Sequence, residues 1–125
     1  MPEALIENEY VKISTEDGIL FMTYKKEQID LPYAKSVVES RLQVSNGKAY
    51  PVFVDLNKVK STSKDARGYL AGNEAAHLIS ASALWGMNEL IKMLSNFYLS
   101  LNKPDVPVRF FSDKQKALEW LKKYK

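Results

Sequence analysis

The chain has 125 residues, a net charge of +3 and no cysteine. That length suits one domain with a hydrophobic core that needs no staples, and the missing cysteine excludes disulfides, thiolate catalysis and cysteine-based metal sites. The positive charge is a mild bias, much of it from Lys122, Lys123 and Lys125, and without interleaved aromatics or a reader motif it does not point to nucleic acid.

The first residues, Met1 to Glu9, show no basic region followed by a long apolar run, so no signal peptide is expected. Apolar runs elsewhere are too short for a membrane span. The expectation is a single domain over residues 1–125 that stays in the cytoplasm.

Tyr10 to Ser14 alternates Val11 and Ile13 against Tyr10, Lys12 and Ser14, and a second apolar run covers Ile19 to Tyr24. Asp17-Gly18 lies between them and accepts the positive φ of a tight turn, which predicts an antiparallel hairpin. Asp30 can cap a helix with Pro32 in its first turn. Ala34, Val37, Val38, Arg41 and Leu42 continue that helix at helical spacing. Arg41 is expected at the edge of the stripe, with its stem buried and its head in water. Asn46-Gly47 ends the helix.

Pro51 to Leu56 is almost wholly apolar, which suits a central parallel strand covered on both faces. A second helix begins near Ser63, with Ala66, Tyr69 and Leu70 on one face. Gly72-Asn73 interrupts it, and Glu74 to Leu78 is expected to form a separate turn. Ile79 to Trp85 reads as the fourth strand, where the small Ala81 and Ala83 leave room for a closely packed helix. Asn88 can cap a third helix whose stripe is Leu90, Ile91, Leu94, Phe97, Tyr98 and Leu101, and Asn102 to Asp105 stop it. Val106 to Phe111 reads as the fifth strand, with Pro107 at its start or on an edge. Asp113 then caps a last helix with Ala117, Leu118 and Leu121 facing in. The order β-β-α-β-α-β-α-β-α predicts an α/β fold with a five-stranded mixed sheet, four main helices and right-handed crossovers.

Two stretches carry a resemblance. The central strand ends in Val54-Asp55-Leu56, with Val59 and then Ser61-Thr62-Ser63 at a helix start. The C-terminal stretch reads Val108-Arg109-Phe110-Phe111-Ser112-Asp113, then Ala117-Leu118-Glu119-Trp120-Leu121. Both are similar to the STAS or SpoIIAA-like fold of sulfate transporters and anti-sigma-factor antagonists, and the element order agrees. The chain also resembles a group of small uncharacterised bacterial proteins of that fold, common in the Bacteroidetes. The resemblance implies a regulatory module that works through protein–protein interaction. It places the antagonists' phosphoacceptor serine on Thr62, while Ser63 replaces the neighbouring glycine and Lys60 an acidic residue.

The loop from Asp55 to Asp65 follows a strand's carboxyl end and opens a helix, the usual place for a binding site in an open α/β sheet. Asp55, Lys58, Ser61, Thr62 and Ser63 are its candidate binding or regulatory residues. A helix N-terminus with Lys58, Lys60 and Lys64 nearby suits an anion or a phosphorylated hydroxyl. Plain capping by Thr62-x-x-Asp65 or by Ser63 accounts for the same residues. Trp85, Met87, Phe97 and Tyr98 form a second candidate, an apolar pocket or partner surface, with core packing as the ordinary alternative.

His77 is the only histidine. It lacks a cysteine or second histidine for zinc, and it is expected to be an ordinary, partly buried side chain. Asp55 at a strand end more often bonds loop N–H groups than performs catalysis. No Gly-rich phosphate loop, Gly-x-Ser-x-Gly elbow or His-x-x-x-His pair is present. The leading expectation is a non-catalytic binding or regulatory module with a protein partner, without cofactor or metal. The alternatives are a carrier of a small lipophilic or anionic ligand and, third, an enzyme using Asp55, His77 and the hydroxyls near Thr62. A homodimer would bury the third helix if its apolar face is wide.

Overall fold

The computed structural model describes residues 3–87, 89, 92, 93 and 106–125. Strand β1 (Glu3–Glu7) leads into β2 (Val11–Glu16) and β3 (Ile19–Tyr24). β2 and β3 form the predicted hairpin, with Val11 opposite Tyr24 and Glu16 opposite Ile19. Only Asp17 and Gly18 remain for the turn, with φ of 54° and 78°. Two successive positive φ values give the type I′ turn, whose twist matches that of the strands it joins.

After the short strand β4 (Gln28–Ile29), helix α1 (Leu31–Ser45) begins as its sequence dictates. Asp30 Oδ1 accepts a hydrogen bond from the Tyr33 N–H at 2.9 Å, and Pro32 stands where a missing N–H costs nothing. The helix ends at Asn46, whose φ of 48° is left-handed and whose N–H bonds the Leu42 carbonyl at 3.2 Å. Then follow β5 (Tyr50–Asp55), β6 (Ser61–Thr62), α2 (Lys64–Leu70), α3 (Asn73–Ala76) and β7 (Ile79–Trp85). The predicted third helix, with Asn88, Leu90, Ile91, Leu94, Phe97, Tyr98 and Leu101, falls on residues that, like Asn102 to Asp105, lie outside those described. β8 (Val108–Phe111) comes next, with Pro107 directly before it on an edge strand. Helix α4 (Lys114–Leu121) closes the fold, and Asp113 Oδ1 accepts from the N–H groups of Gln115 and Lys116.

The main sheet runs β1-β2-β3-β5-β7-β8. β1, β2 and β3 pair antiparallel, and the rest are parallel. It is the predicted mixed sheet with one strand more, because β1 adds to the β2 edge. A second pairing also escaped the sequence: β4 and β6 form a two-residue parallel ladder.

Side chains alternate across a strand with period two, so each strand feeds two layers. Leu20, Met22, Val52 and Val54 join Val37 of α1 and Ala66 of α2 in one core. Ile19, Phe53, Ala81 and Ala83 join Ala117, Trp120 and Leu121 of α4 in the other. Burying Trp120 and Leu121 contributes roughly 1.5–3 kcal/mol each. The two alanines of β7, both fully buried, let α4 approach the sheet. A leucine at Ala83 would overpack that layer, at a cost of about 1–3 kcal/mol.

Candidate functional site

β5 delivers Asp55 to its carboxyl end, and the side chain turns back onto the loop. Its Oδ1 accepts from the Asn57 backbone N–H and from Asn57 Nδ2, both at 2.9 Å. Asn57 Oδ1 accepts in turn from the Met87 N–H at 3.0 Å. The Leu56 N–H donates to the Trp85 carbonyl at 2.9 Å. Asp55 therefore braces the loops that follow β5 and β7, as a strand-end aspartate commonly does.

Past it, Val59 is fully buried and anchors the loop, while Lys58, Lys60 and Ser61 are exposed. The N–H groups of Lys60 and Ser61 donate to the Glu27 carbonyl at 2.6 and 3.1 Å, and that of Ser63 to the Ile29 carbonyl at 2.9 Å. Thr62 thus belongs to a strand, and capping falls to Ser63. Ser63 Oγ accepts from the Ala66 N–H at 3.3 Å. Asp65 Oδ1 accepts from the Ser63 hydroxyl and, at 2.9 Å, from the same N–H of Ala66. The Ser63 hydroxyl is the main cause that holds the Asp65 carboxyl below its ordinary range. A carboxylate of the chain itself already occupies the first turn of α2, which works against a second anion there. Thr62 is bound from the other side: Arg67 Nη1 donates to its carbonyl at 2.8 Å and to its Oγ1 at 3.3 Å.

The second candidate cluster is split. Trp85 faces α4, with its ring 5.7 Å from that of Phe53 and its Nε1 donating to the Ser112 carbonyl at 3.3 Å. Met87 is 76% exposed. Phe97 and Tyr98 lie outside the described residues.

On the opposite face of the sheet, between it and α1, α2 and α3, lies a cavity of about 430 Å³, a size typical of small-ligand sites. Met22, Val52, Val54 and Leu84 line it from the sheet, and Val37, Val38 and Leu70 from the helices. Neither Trp85 nor Met87 is among its lining residues. Leu56 and Thr62 are, so the loop and the cavity share these residues, and Arg67 of α2 lines it as well. Its described lining contains Arg41, Arg67 and His77 but no Asp or Glu.

Arg41 departs from its expected place. It is 2% exposed, not an edge residue with its head in water. Nη2 donates to the Ala75 carbonyl at 2.9 Å. That carbonyl lies in the last turn of the four-residue helix α3, where helix carbonyls lack intrahelical partners. Helix α3 thus supplies an acceptor that draws the head inward. Nη1 is buried with no hydrogen-bond partner among the described residues. Burial pushes the guanidinium pKa below its ordinary value, and the nearby phenols of Tyr24 and Tyr69 offset part of that. On the backbone side, the Ser45 hydroxyl donates to the Arg41 carbonyl at 2.9 Å.

His77 is exposed, not partly buried as expected. Tyr50 pairs with Ile79 and Asp55 with Trp85, so the length of β5, roughly 16 Å, separates Asp55 from the end of the sheet near His77. Among the described residues, no group of three His, Asp or Glu side chains could hold a metal ion, and no helix is long and apolar enough to cross a membrane. Sequence reasoning missed the cavity and the burial of Arg41. The signal available was the place of Arg41 within the apolar stripe, one turn after Val37 and Val38; the acceptor 34 residues away was not readable.

Comparison with known proteins agrees with this architecture. Residues 13–125 match the model of a domain of unknown function, DUF7793. No curated protein matches the chain. Among solved structures, the chain is similar to an uncharacterized protein of the DUF3478 family with a SpoIIAA-like fold from Shewanella loihica PV-4. The two share 16% sequence identity with a TM-score of 0.62, over 89% of this chain and 91% of that one. The fold is therefore SpoIIAA-like.

Proposed function

The chain belongs to the DUF7793 family, and we propose that it is a non-catalytic binding module whose cavity takes a small lipophilic ligand. The cavity itself carries this reading: about 430 Å³ between the sheet and three helices, faced mainly by aliphatic side chains. Close-packed interiors hold few voids larger than a water molecule, and an apolar body placed there would recover dispersion contacts and leave water. The placement of the candidate catalytic groups supports a non-catalytic role. Asp55 is engaged by Asn57, and His77 lies towards the opposite end of β5. Native mass spectrometry of freshly purified protein, with titration of the neutral dye Nile red, tests the reading. Saturable one-to-one binding that Leu84→Trp weakens is expected. Absence of both retained ligand and saturable dye binding would overturn it.

A second reading is favoured by the loop. Ser61, Lys58, Lys60 and Lys64 are all exposed beside Thr62, which suits contact with a protein partner, under phosphate control in its regulated form. Thr62 also lines the cavity, so a partner held there would sense its occupancy. Pull-downs with wild type, Thr62→Glu and Ser61→Glu compare the captured proteins; identical sets from all three would sink the phosphate-controlled version.

A further inference from the structure

Arg41 brings a full positive charge into the wall of a mainly aliphatic cavity. Its fastening of α1 to α3 needs one nitrogen only, and Nη2 serves that purpose at the Ala75 carbonyl. Nη1 is left buried with no hydrogen-bond partner among the described residues. Native interiors rarely leave such donors unmet, and an unpaired buried charge is among the least favourable arrangements in a protein. No carboxylate among the described lining residues answers it. Arg67, the other cavity arginine, directs Nη1 to Thr62.

We propose that the ligand is an amphipathic carboxylate, an acyl chain with one terminal anionic group. Its carboxylate accepts from Arg41 Nη1, and its apolar body lies along Val52, Val54 and Leu84. This assignment rests on reading the cavity as a ligand site. A singly charged group fits better than a phosphate, because one terminal nitrogen is open and a phosphate dianion calls for several donors. Arginine is suited to the task, since it stays charged when buried and offers its donors in a fixed plane.

Isothermal titration of wild type and Arg41→Met with dodecanoate and with dodecanol tests the assignment. Wild type is expected to bind the acid about tenfold or more tightly than the alcohol, as one charge-assisted hydrogen bond implies. Arg41→Met is expected to lose that preference and still bind dodecanol. If neither compound binds wild type, the cavity reading fails and this assignment with it. If both bind alike, or if Arg41→Met keeps the preference, the carboxylate assignment falls and the cavity reading stands. Should Arg41→Met not fold, the guanidinium NMR signals of wild type decide the matter. They must shift with dodecanoate and not with dodecanol, and the reverse overturns the assignment.

Discussion

Arg41 on α1 donates to the Ala75 carbonyl on α3 at 2.9 Å, across 34 residues of chain. That bond holds a four-residue helix that has no side-chain cap of its own. It also keeps a charge out of water, so its contribution to stability is the balance of a clamp and a desolvated cation.

The balance is measurable. Arg41→Met keeps most of the stem and removes the charge. It gives up one charge-assisted hydrogen bond at Ala75, worth about 1.5–3 kcal/mol, and relieves a desolvation penalty of several kcal/mol. The ligand-free variant is expected to match wild type or exceed it by up to about 2 kcal/mol in urea unfolding. Arg41→Ala also loses the packed stem and should fall below Arg41→Met by about 1–2 kcal/mol. A loss above about 2 kcal/mol in Arg41→Met would show that the clamp outweighs the charge.

Two glycines predict opposite signs for one substitution. Gly18 has φ of +78° in the hairpin turn, so Gly18→Ala puts a Cβ in the left-handed region and should cost about 1–2 kcal/mol. Gly68 lies inside α2, and a Cβ there would meet nothing within 4 Å. Gly68→Ala should stabilise by about 0.5–1 kcal/mol, through helix propensity and a less free unfolded chain. Thermal unfolding of the two variants beside wild type checks both signs.

These positions also show what could be read before the structure. Asp17-Gly18, Asp30 with Tyr33, and Asp113 with Gln115 are contacts within three residues, so local stereochemistry decides them. Alternation exposed the layers as well, because Ala81 and Ala83 share one face of β7. The Ser63 cap was legible for the same reason, although Thr62 competed for it until its pairing with Ile29 was seen. The β4–β6 ladder joins Gln28 to Ser61 over two residues each, too short for a periodic signal. β1 is brief and carries glutamates at both ends. Among the described residues the cavity takes its walls from six strands and three helices, and no local pattern encodes such a convergence.

Acid should weaken the fold through three carboxylates. Glu7 is held below its ordinary pKa by Lys25, and Asp17 by Lys125, mainly through hydrogen bonds and then through charge. Asp65 is held down chiefly by the Ser63 hydroxyl. A depressed folded-state pKa contributes stability above the unfolded value, and that contribution is lost as pH falls through the ordinary carboxylate range towards the folded value. All three groups are exposed, so the effect is small and open to solvent. Salt separates them. The pairs Lys25–Glu7 at 2.8 Å and Lys125–Asp17 at 3.0 Å are ionic and should fade at high ionic strength, whereas the contact of Asp65 with a neutral hydroxyl should persist. Urea midpoints across the acid range, at low and high salt, should flatten with Glu7→Gln or Asp17→Asn at low salt only, and with Asp65→Asn at both.

The last prediction concerns the joint between loop and cavity. Arg67 bonds the Thr62 carbonyl and hydroxyl from α2, and among the described residues β6 has only the short β4 as its ladder partner. β5, by contrast, is paired on both sides within the main sheet. Arg67→Ala should therefore loosen β6 selectively, at a cost of about 1.5–3 kcal/mol locally for a charge-assisted bond. Amide exchange is the suitable measurement, because local opening is reported residue by residue. The amides of Lys60, Ser61 and Ser63, which bond the Glu27 and Ile29 carbonyls, should exchange about tenfold or more faster. The amides of β5 should keep their rates. Equal acceleration in both would mean that Arg67 supports the whole fold and not β6 alone.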